Sequence, residues 1–175
     1  MDKLLLVDGN SIANRAFYAL PFLSNHEGKP SGAVYGFANI LIKLIQEERP
    51  SHIIIAFDHA RKTFRNEISS MDITVIEQAG IEADDILGTL SKKYDGFKII
   101  LSGDRDLLQL INDNTNVWLT KKGVSEVEKV DEQRLKELYG IKPYQVIEMK
   151  ALMGDTSDNI PGVKGIGEKT ALSLI

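Results

Sequence analysis

The sequence predicts an α/β fold in which a mostly parallel central sheet is flanked by helices and followed by a C-terminal helical region. Three short apolar segments, LLLV at 4–7, HIIIAF at 52–57 and FKIIL at 97–101, are typical of buried strands. Helical patterns separate these segments, and a parallel sheet is normally covered by helices on both faces. Beyond residue 141 the pattern becomes helical with glycine turns.

Helices are predicted between the strands. SIANRAFYAL from Ser11 and AVYGFANILIKLIQEE from Ala33 have helical patterns, and the second ends just before Pro50. IEADDILGTLSKKY opens a third helix, which leads into the third strand. We therefore divide the chain into an α/β core over 1–140 and a helical region over 141–175.

Composition limits the classes of protein to which this chain can belong. Its 175 residues, 43% of them hydrophobic, suit one domain with a small appendage. The absence of cysteine excludes a disulfide framework, a thiol nucleophile and a thiolate zinc site. Because LLLV is too short for a signal peptide and no apolar run could span a bilayer, we expect a cytoplasmic protein without a membrane partner. The net charge of −4 argues mildly against a polyanionic partner.

Each predicted strand is followed by aspartate. Asp8 follows the first strand, Asp58 the second, and Asp104 and Asp106 the third. Ligands of such sheets bind outside the carboxyl ends of the strands, so these carboxylates should converge on one crevice. A lone aspartate after a strand is usually a turn former, but the repetition at three strands favours a shared site.

The segment IEADDILG places three acidic residues, Glu82, Asp84 and Asp85, within four positions. At ~4 Å and an effective dielectric near 20, two like charges repel by about 4 kcal/mol. A helix N-terminus favours each carboxylate by only ~0.3 to 1 kcal/mol, so capping does not account for all three. Oxygen ligands without histidine or cysteine point to magnesium or manganese rather than zinc.

A second acidic pair precedes a glycine-rich hairpin near residue 160. Asp155 and Asp158 are three positions apart, so one helical turn would point both the same way. PGVKGIGEKTA then places glycines and lysines between two helices, the second from Glu168 to Ile175. The N–H groups of such a turn suit a phosphate, and the lysines suit a nucleic-acid backbone. The hairpin residues predicted to bind DNA are Gly162, Lys164, Gly165, Gly167 and Lys169.

Five motifs together resemble a known family. LLLVDGNS, AFD, EADD, SGDRDLLQL and MGDTSDNIPGVKGIGEKTA closely resemble the 5′ nuclease domain of bacterial DNA polymerase I, a member of the flap endonuclease family. The resemblance runs from residue 2 to 175 and implies a PIN-like 5′ nuclease fold. It implies a nuclease that uses two divalent ions, Mg²⁺ or Mn²⁺, to cut DNA near 5′ flap/duplex junctions, as in primer removal during replication and repair. A helix-hairpin-helix variant that grips duplex DNA, often with a potassium ion on hairpin carbonyls, is also implied.

The resemblance implies that nine carboxylates hold metal. By family analogy the first five form one subset and the last four the other: Asp8, Asp58, Glu82, Asp84, Asp85, Asp104, Asp106, Asp155 and Asp158. The residues implied in catalysis are Asp8, Asp58, Asp84, Asp85 and Arg65. Without the nine, 21 basic residues face 25 − 9 = 16 acidic residues, a balance of +5. The rest of the surface is therefore mildly basic, which suits DNA.

Basic residues after Asp58 are further candidates for DNA contact. Arg61, Lys62 and Arg65 in HARKTFR could clamp a phosphate, Arg65 above all because the family keeps an arginine in this FR pair. Plain solvation is an equal alternative for Arg61 and Lys62. On the first helix Phe17 could stack on a base, but we expect it in the core.

The sequence departs from the family between FR and EADD. Family members carry a helical arch over the active site there, whereas this chain passes from FRNE to ISSMDITVIEQAG, so the arch near 66–72 is shortened or missing. Either the protein has lost the arch, or the protein has an arch whose residues are missing from this sequence. The second alternative is favoured because loss of the arch would remove the threading gate and a catalytic lysine together. The hairpin region also ends earlier than in the family. We expect a monomer that binds 5′-flap or nicked DNA, and a fused polymerase domain is left open.

Two other functions are compatible with parts of this pattern. A PIN-type RNA endonuclease shares the sheet and the acidic cluster but does not need the glycine hairpin with TSDN. A non-catalytic module that binds branched DNA would keep the metal ligands and, lacking the arch, no longer cut. A phosphatase of the haloacid dehalogenase type would need aspartate where this chain has Asn10.

Overall fold

A six-stranded sheet forms the centre of the computed structural model, which describes residues 2–20, 22–26, 28, 30–59, 73–121 and 126–175. Its strands are β1 (Lys3–Asp8), β2 (His52–Ala56), β3 (Thr74–Ile76), β4 (Phe97–Ser102), β5 (Thr115–Thr120) and β6 (Val127–Val130). The spatial order is β3-β2-β1-β4-β5-β6. Every pairing is parallel except that of β5 with β6. The predicted mostly parallel sheet is confirmed.

The register of the three central strands aligns their carboxyl ends. Asp8 at the end of β1 lies opposite Ala56 of β2, and Val7 lies opposite Leu101 of β4. Leu5 and Leu6 are fully buried, one on each side of the sheet, because helices cover both faces. Polar residues that follow these strands therefore emerge together at one edge.

Helices lie on both faces of the sheet. On one face, α1 (Gly9–Ala19) and α2 (Gly32–Glu48) form a core with β1, β2 and β4. The opposite face carries α3 (Ala83–Lys93), a 3₁₀ helix (Asp106–Leu110), α4 (Glu132–Tyr139), α5 (Gln145–Met153) and α6 (Glu168–Leu174). Among the helices that the structure describes, none combines the length and apolar character needed to cross a membrane.

Helix α1 differs from the prediction at its start and in its buried face. It begins at Gly9 rather than Ser11 because the Asp8 carboxylate caps it, accepting a hydrogen bond from the Ser11 amide. The expectation that Phe17 lies in the core is wrong, since its side chain is 49% exposed. The buried face of α1 is formed by Ile12 and Ala16 instead, and Phe17 lies on the solvent-exposed side of the helix.

Candidate metal centre

Asp8 is a buried carboxylate held by two donors at the end of β1. Its Oδ1 accepts a hydrogen bond from the Ser11 amide at 2.9 Å, and its Oδ2 accepts one from Ser102 Oγ at 2.6 Å. Burial raises the pKa of Asp8, with nearby Asp58 and Asp104 adding to the rise against the lowering effect of the two hydrogen bonds. The carboxylate is thus fixed in orientation but carries a charge that the fold disfavours.

Asp58 connects the second strand to two helix starts. Its Oδ1 accepts a hydrogen bond from the amide of Ala83, the first residue of α3, at 2.8 Å. Its Oδ2 accepts one from the side-chain amide of Asn10 at the start of α1. The sequence drew attention to Asn10 only as a residue that excludes a phosphatase. The only feature of the sequence that could have pointed to a role for Asn10 in the site is its position two residues after Asp8.

Asp84 shows how closely the predicted carboxylates gather. Burial, followed by the charges of Asp8, Asp104, Asp58 and Asp106, raises the pKa of Asp84 to about 7. These five carboxylates come from four separate segments, the ends of β1, β2 and β4 and the first turn of α3. The predicted convergence of the strand-end aspartates on one crevice is therefore what the structure describes.

Ser102 links the carboxylates at the ends of β1 and β4, and no motif in the sequence pointed to this serine. While its hydroxyl donates to Asp8, it also accepts a hydrogen bond from the Asp104 amide at 2.9 Å. Asp104 Oδ1 in turn accepts from the Asp106 amide at 2.8 Å. A serine at the end of a strand gives no local signal of this role, because the partner lies 94 residues away.

A second carboxylate group forms where the 3₁₀ helix after β4 meets the hairpin. Asp106, Asp155 and Asp158 each offer an oxygen atom, and these atoms lie within 4.8 Å of one another. The expectation that one helical turn aligns Asp155 and Asp158 is wrong. Helix α5 ends at Met153 because Gly154 has a φ of 74°, and Asp155 then lies in β7 (Gly154–Asp155).

Lys150 contacts this second group, and no feature of the sequence indicated it. Its Nζ lies 2.6 Å from Asp106 Oδ1 and donates a hydrogen bond to Asp155 Oδ2. Burial lowers the pKa of Lys150, but the two carboxylates outweigh burial, so the net pKa lies above its usual value. The hydrogen bond from Lys150 lowers the pKa of Asp155.

The two remaining acids of EADD lie at the rim of the crevice. Glu82 is exposed, immediately precedes α3 and lines a cleft of about 650 Å³ with Asp58 and Asn10. Asp85 is also exposed and lines a cleft of about 260 Å³ together with Asp84. Both carboxylates are open to solvent.

The predicted hairpin exists between α5 and α6 and is built on close backbone contact. β7 pairs with β8 (Ile160–Pro161), and a Cβ on Gly162 would lie 2.2 Å from the carbonyl carbon of Met153. The predicted DNA-binding residues are largely exposed around this hairpin: Gly162, Lys164, Gly165, Gly167 and Lys169. Arg61, Lys62, Arg65 and the arch region near 66–72 lie outside the described residues.

The residues present fit a hard divalent cation. The candidate ligands are all carboxylate oxygens, the donors that Mg²⁺ and Mn²⁺ prefer. A carboxyl with its pKa raised to about 7 by burial and by its acidic neighbours is stabilised as a carboxylate when a cation binds beside it.

Two protein-family models together match nearly the whole chain. The model described as 5′-3′ exonuclease, N-terminal resolvase-like domain, matches residues 3–71 and 68–140. The model described as 5′-3′ exonuclease, C-terminal SAM fold, matches residues 141–175.

Curated relatives include bacterial DNA polymerases. DNA polymerase I of Bacillus subtilis is 47% identical over 202 residues, which cover 99% of this chain and 23% of that protein. DNA polymerase I of Bacillus caldotenax is 42% identical with the same coverage. The chain thus spans less than a quarter of these relatives' length. The alignment to the Bacillus subtilis protein is 202 positions long, whereas this chain has 175 residues. At least 202 − 175 = 27 positions of the alignment therefore have no residue in this chain.

Solved structures of similar fold include nucleases that are less than 25% identical to this chain. One described as divalent metal ions (zinc) bound to T5 5′-exonuclease is 21% identical with a TM-score of 0.74, covering 99% of this chain and 74% of that one. Human GEN1 in complex with Holliday junction DNA is 15% identical with a TM-score of 0.57, covering 98% and 49%. These likenesses agree with the PIN-like 5′ nuclease fold. Since the family models match over residues 3–140 and 141–175, the chain belongs to the 5′-3′ exonuclease family of nucleases, the family that its motifs predicted.

Proposed function

We propose that this chain hydrolyses DNA phosphodiester bonds near 5′ flap or nick junctions with two divalent metal ions, as in primer removal during replication and repair. One observation carries the proposal. Carboxylates from four distant segments meet at the carboxyl edge of the sheet, where burial and then the neighbouring negative charges raise the pKa of Asp84 to about 7. Such an arrangement destabilises a fold unless it holds cations that the reaction needs.

The metal ions would be held by two carboxylate sets. We assign Mg²⁺ or Mn²⁺ to them because the ligands are oxygens only. One set comprises Asp8, Asp58, Glu82, Asp84 and Asp85, and the other comprises Asp104, Asp106, Asp155 and Asp158. When bound, two such ions supply an activated water and charge stabilisation at the scissile phosphate.

The chain's own contribution is to orient the ligands before any ion arrives. Ser102 and the Ser11 amide fix both oxygens of Asp8, and Asn10 and the Ala83 amide fix those of Asp58. Preorganised carboxylates lose little side-chain entropy when an ion binds, and they hold its position against the moving phosphate.

DNA is proposed to pass over the hairpin and over the basic residues that follow Asp58 in the sequence. Lys164 and Lys169 are exposed beside the glycine turn, where backbone N–H groups can meet phosphates. We assign a potassium ion to the hairpin carbonyls by family analogy. Arg61, Lys62 and Arg65 follow Asp58 in the sequence, and Arg65 is proposed as the phosphate clamp.

We further propose that the nuclease core spans 1–140, that the hairpin region spans 141–175, and that the family's arch is absent from this sequence. The family models meet between residues 140 and 141, and the two matches of the first overlap at 68–71. At least 27 positions within the alignment to the Bacillus subtilis relative have no residue in this chain, which supports a missing segment of that order. The length of the relatives supports a polymerase domain fused to this one in the native protein.

The proposal is tested by cleavage of a 5′-labelled flap duplex in Mg²⁺. We expect cutting near the junction that EDTA abolishes and that Asp84→Ala/Asp85→Ala removes, while the exposed Asp113→Ala control cuts normally. An equivalent RNA substrate serves as the comparison for a PIN-type enzyme. Binding to the junction without cleavage would favour the non-catalytic module. Absence of both binding and cleavage would refute the proposed nuclease function.

A further inference from the structure

Lys150 places a positive charge within the group formed by Asp106, Asp155 and Asp158. Its ammonium lies 2.6 Å from Asp106 Oδ1 and donates a hydrogen bond to Asp155 Oδ2. The three acids offer oxygen atoms within 4.8 Å of one another, which is close enough for one ion to bind all three. The ammonium therefore engages carboxyl groups that a divalent cation would need.

We propose that Lys150 is the resident counter-ion of this group and that a divalent metal ion must displace its ammonium in order to bind there. The inference rests on the proposed function, because it requires a metal site at these carboxylates. It assigns Lys150 a positioning role, since the side chain acts through the ligands.

The position of Lys150 allows the exchange. It lies on the last turn of α5, and its side chain is 26% exposed, so a route to solvent exists. A lysine has a flexible stem and a compact charge, and it can withdraw its ammonium without moving the helix. A divalent ion attracts each carboxylate about twice as strongly as an ammonium at the same distance, which favours the ion once it is available.

A purely structural role for Lys150 predicts the opposite result. The side chain links Asp106, the first residue of the 3₁₀ helix, to Asp155 of the hairpin. If this link served only to hold the two segments together, its removal would let the carboxylates separate and would weaken metal binding. If Lys150 is a displaceable counter-ion, removal of its charge strengthens metal binding.

The test is a calorimetric titration of the metal-free full chain with Mn²⁺ at constant pH. We expect Lys150→Met to bind Mn²⁺ about tenfold more tightly in one binding step, a gain of about 1.4 kcal/mol. Lys150→Arg keeps the charge and should bind like the wild type. Lys136→Met removes an exposed charge on α4 and controls for net charge. Adding Asp158→Asn to Lys150→Met should abolish the gain, which locates it at this group.

Thermal melts supply a second readout and a check on folding. In EDTA, Lys150→Met should melt below the wild type because Asp106 and Asp155 lose their counter-ion, and Mn²⁺ should raise its melting temperature by more than that of the wild type. Lys150→Gln, which keeps a hydrogen-bond donor without the charge, replaces Lys150→Met if that variant does not fold. Equal or weaker Mn²⁺ binding by the neutral variant overturns the inference alone. Absence of Mn²⁺ binding by the folded wild type overturns both the inference and the proposed function.

Discussion

Replacement of Asp84 with asparagine should stabilise the metal-free protein at pH 8 while abolishing metal-dependent cleavage. In the folded chain the pKa of Asp84 is raised from 3.8 to about 7, first by burial and then by four neighbouring carboxylates. Below the lower value the carboxyl is protonated in both folded and unfolded states. Between these two pKa values the carboxyl loses its proton in the unfolded chain but keeps it in the folded chain, so the free energy of unfolding falls as the pH rises. Above about pH 7 the carboxyl is charged in both states and the loss of stability is complete.

The size of the effect follows from the same pKa. A rise of about three in the pKa of Asp84 corresponds to ~4 kcal/mol, at 1.36 kcal/mol for each unit of pKa. Because the Asp84 side chain is only partly buried, solvent screening reduces the expected gain of Asp84→Asn to about 2 kcal/mol. For a chain of this length the melting temperature should then rise by about 4 to 8 °C.

Urea denaturation in EDTA at pH 8 and at pH 4 measures this difference. The exposed Asp113→Asn variant controls for the loss of one negative charge, and its stability should change by less than about 0.5 kcal/mol. Equal stability of Asp84→Asn and the wild type at pH 8, or an equally large gain in stability at pH 4, would refute this account of Asp84.

Three further predictions concern the serine bridge, the hairpin and the bound ions. Ser102→Ala should lower the free energy of unfolding by about 1 to 3 kcal/mol, because a fully buried hydroxyl no longer donates to Asp8, and urea denaturation measures this loss. Gly154→Ala should cost about 3 kcal/mol, since the φ of 74° is unfavourable and the new Cβ would lie 2.3 Å from the Gly162 amide nitrogen. Gly88→Ala within α3, where the nearest atom is 3.8 Å away, should instead stabilise by up to about 1 kcal/mol; equal melting temperatures for the two variants would contradict both estimates. Saturating Mg²⁺, at about 100 times its dissociation constant, should stabilise the wild type by about 2.7 kcal/mol, and an unchanged melting curve after EDTA treatment would exclude a metal site.

Local pattern predicted the elements that carry the site. The apolar runs before Asp8 and Asp58 are strands because consecutive β-branched and aliphatic residues suit a sheet covered on both faces. The general rule for such sheets then placed the acids at one edge. It required no knowledge of which strands are neighbours, only that the central strands run in the same direction.

Local pattern failed where a residue's surroundings come from distant segments. Phe17 has an apolar side chain on an apolar helix, yet the faces offered by the sheet and α2 are filled by other residues. The spacing of Asp155 and Asp158 suits a helical turn, but Gly154 ends the helix and a hairpin brings the two acids together.

By itself the sequence determined the class of fold, the edge of the sheet at which the acidic residues gather and the acidic character of the candidate site, because each depends on residue type and on spacing along the chain. Only the tertiary structure decided which groups orient and neutralise those acids. Ser102 reaches Asp8 across 94 residues, and Asn10 reaches Asp58 across 48, through the pairing of β1 with its neighbours. Lys150 meets Asp106 because α5 packs against the 3₁₀ helix. Strand register and helix packing determine these contacts, and neither can be predicted from a short segment of the chain.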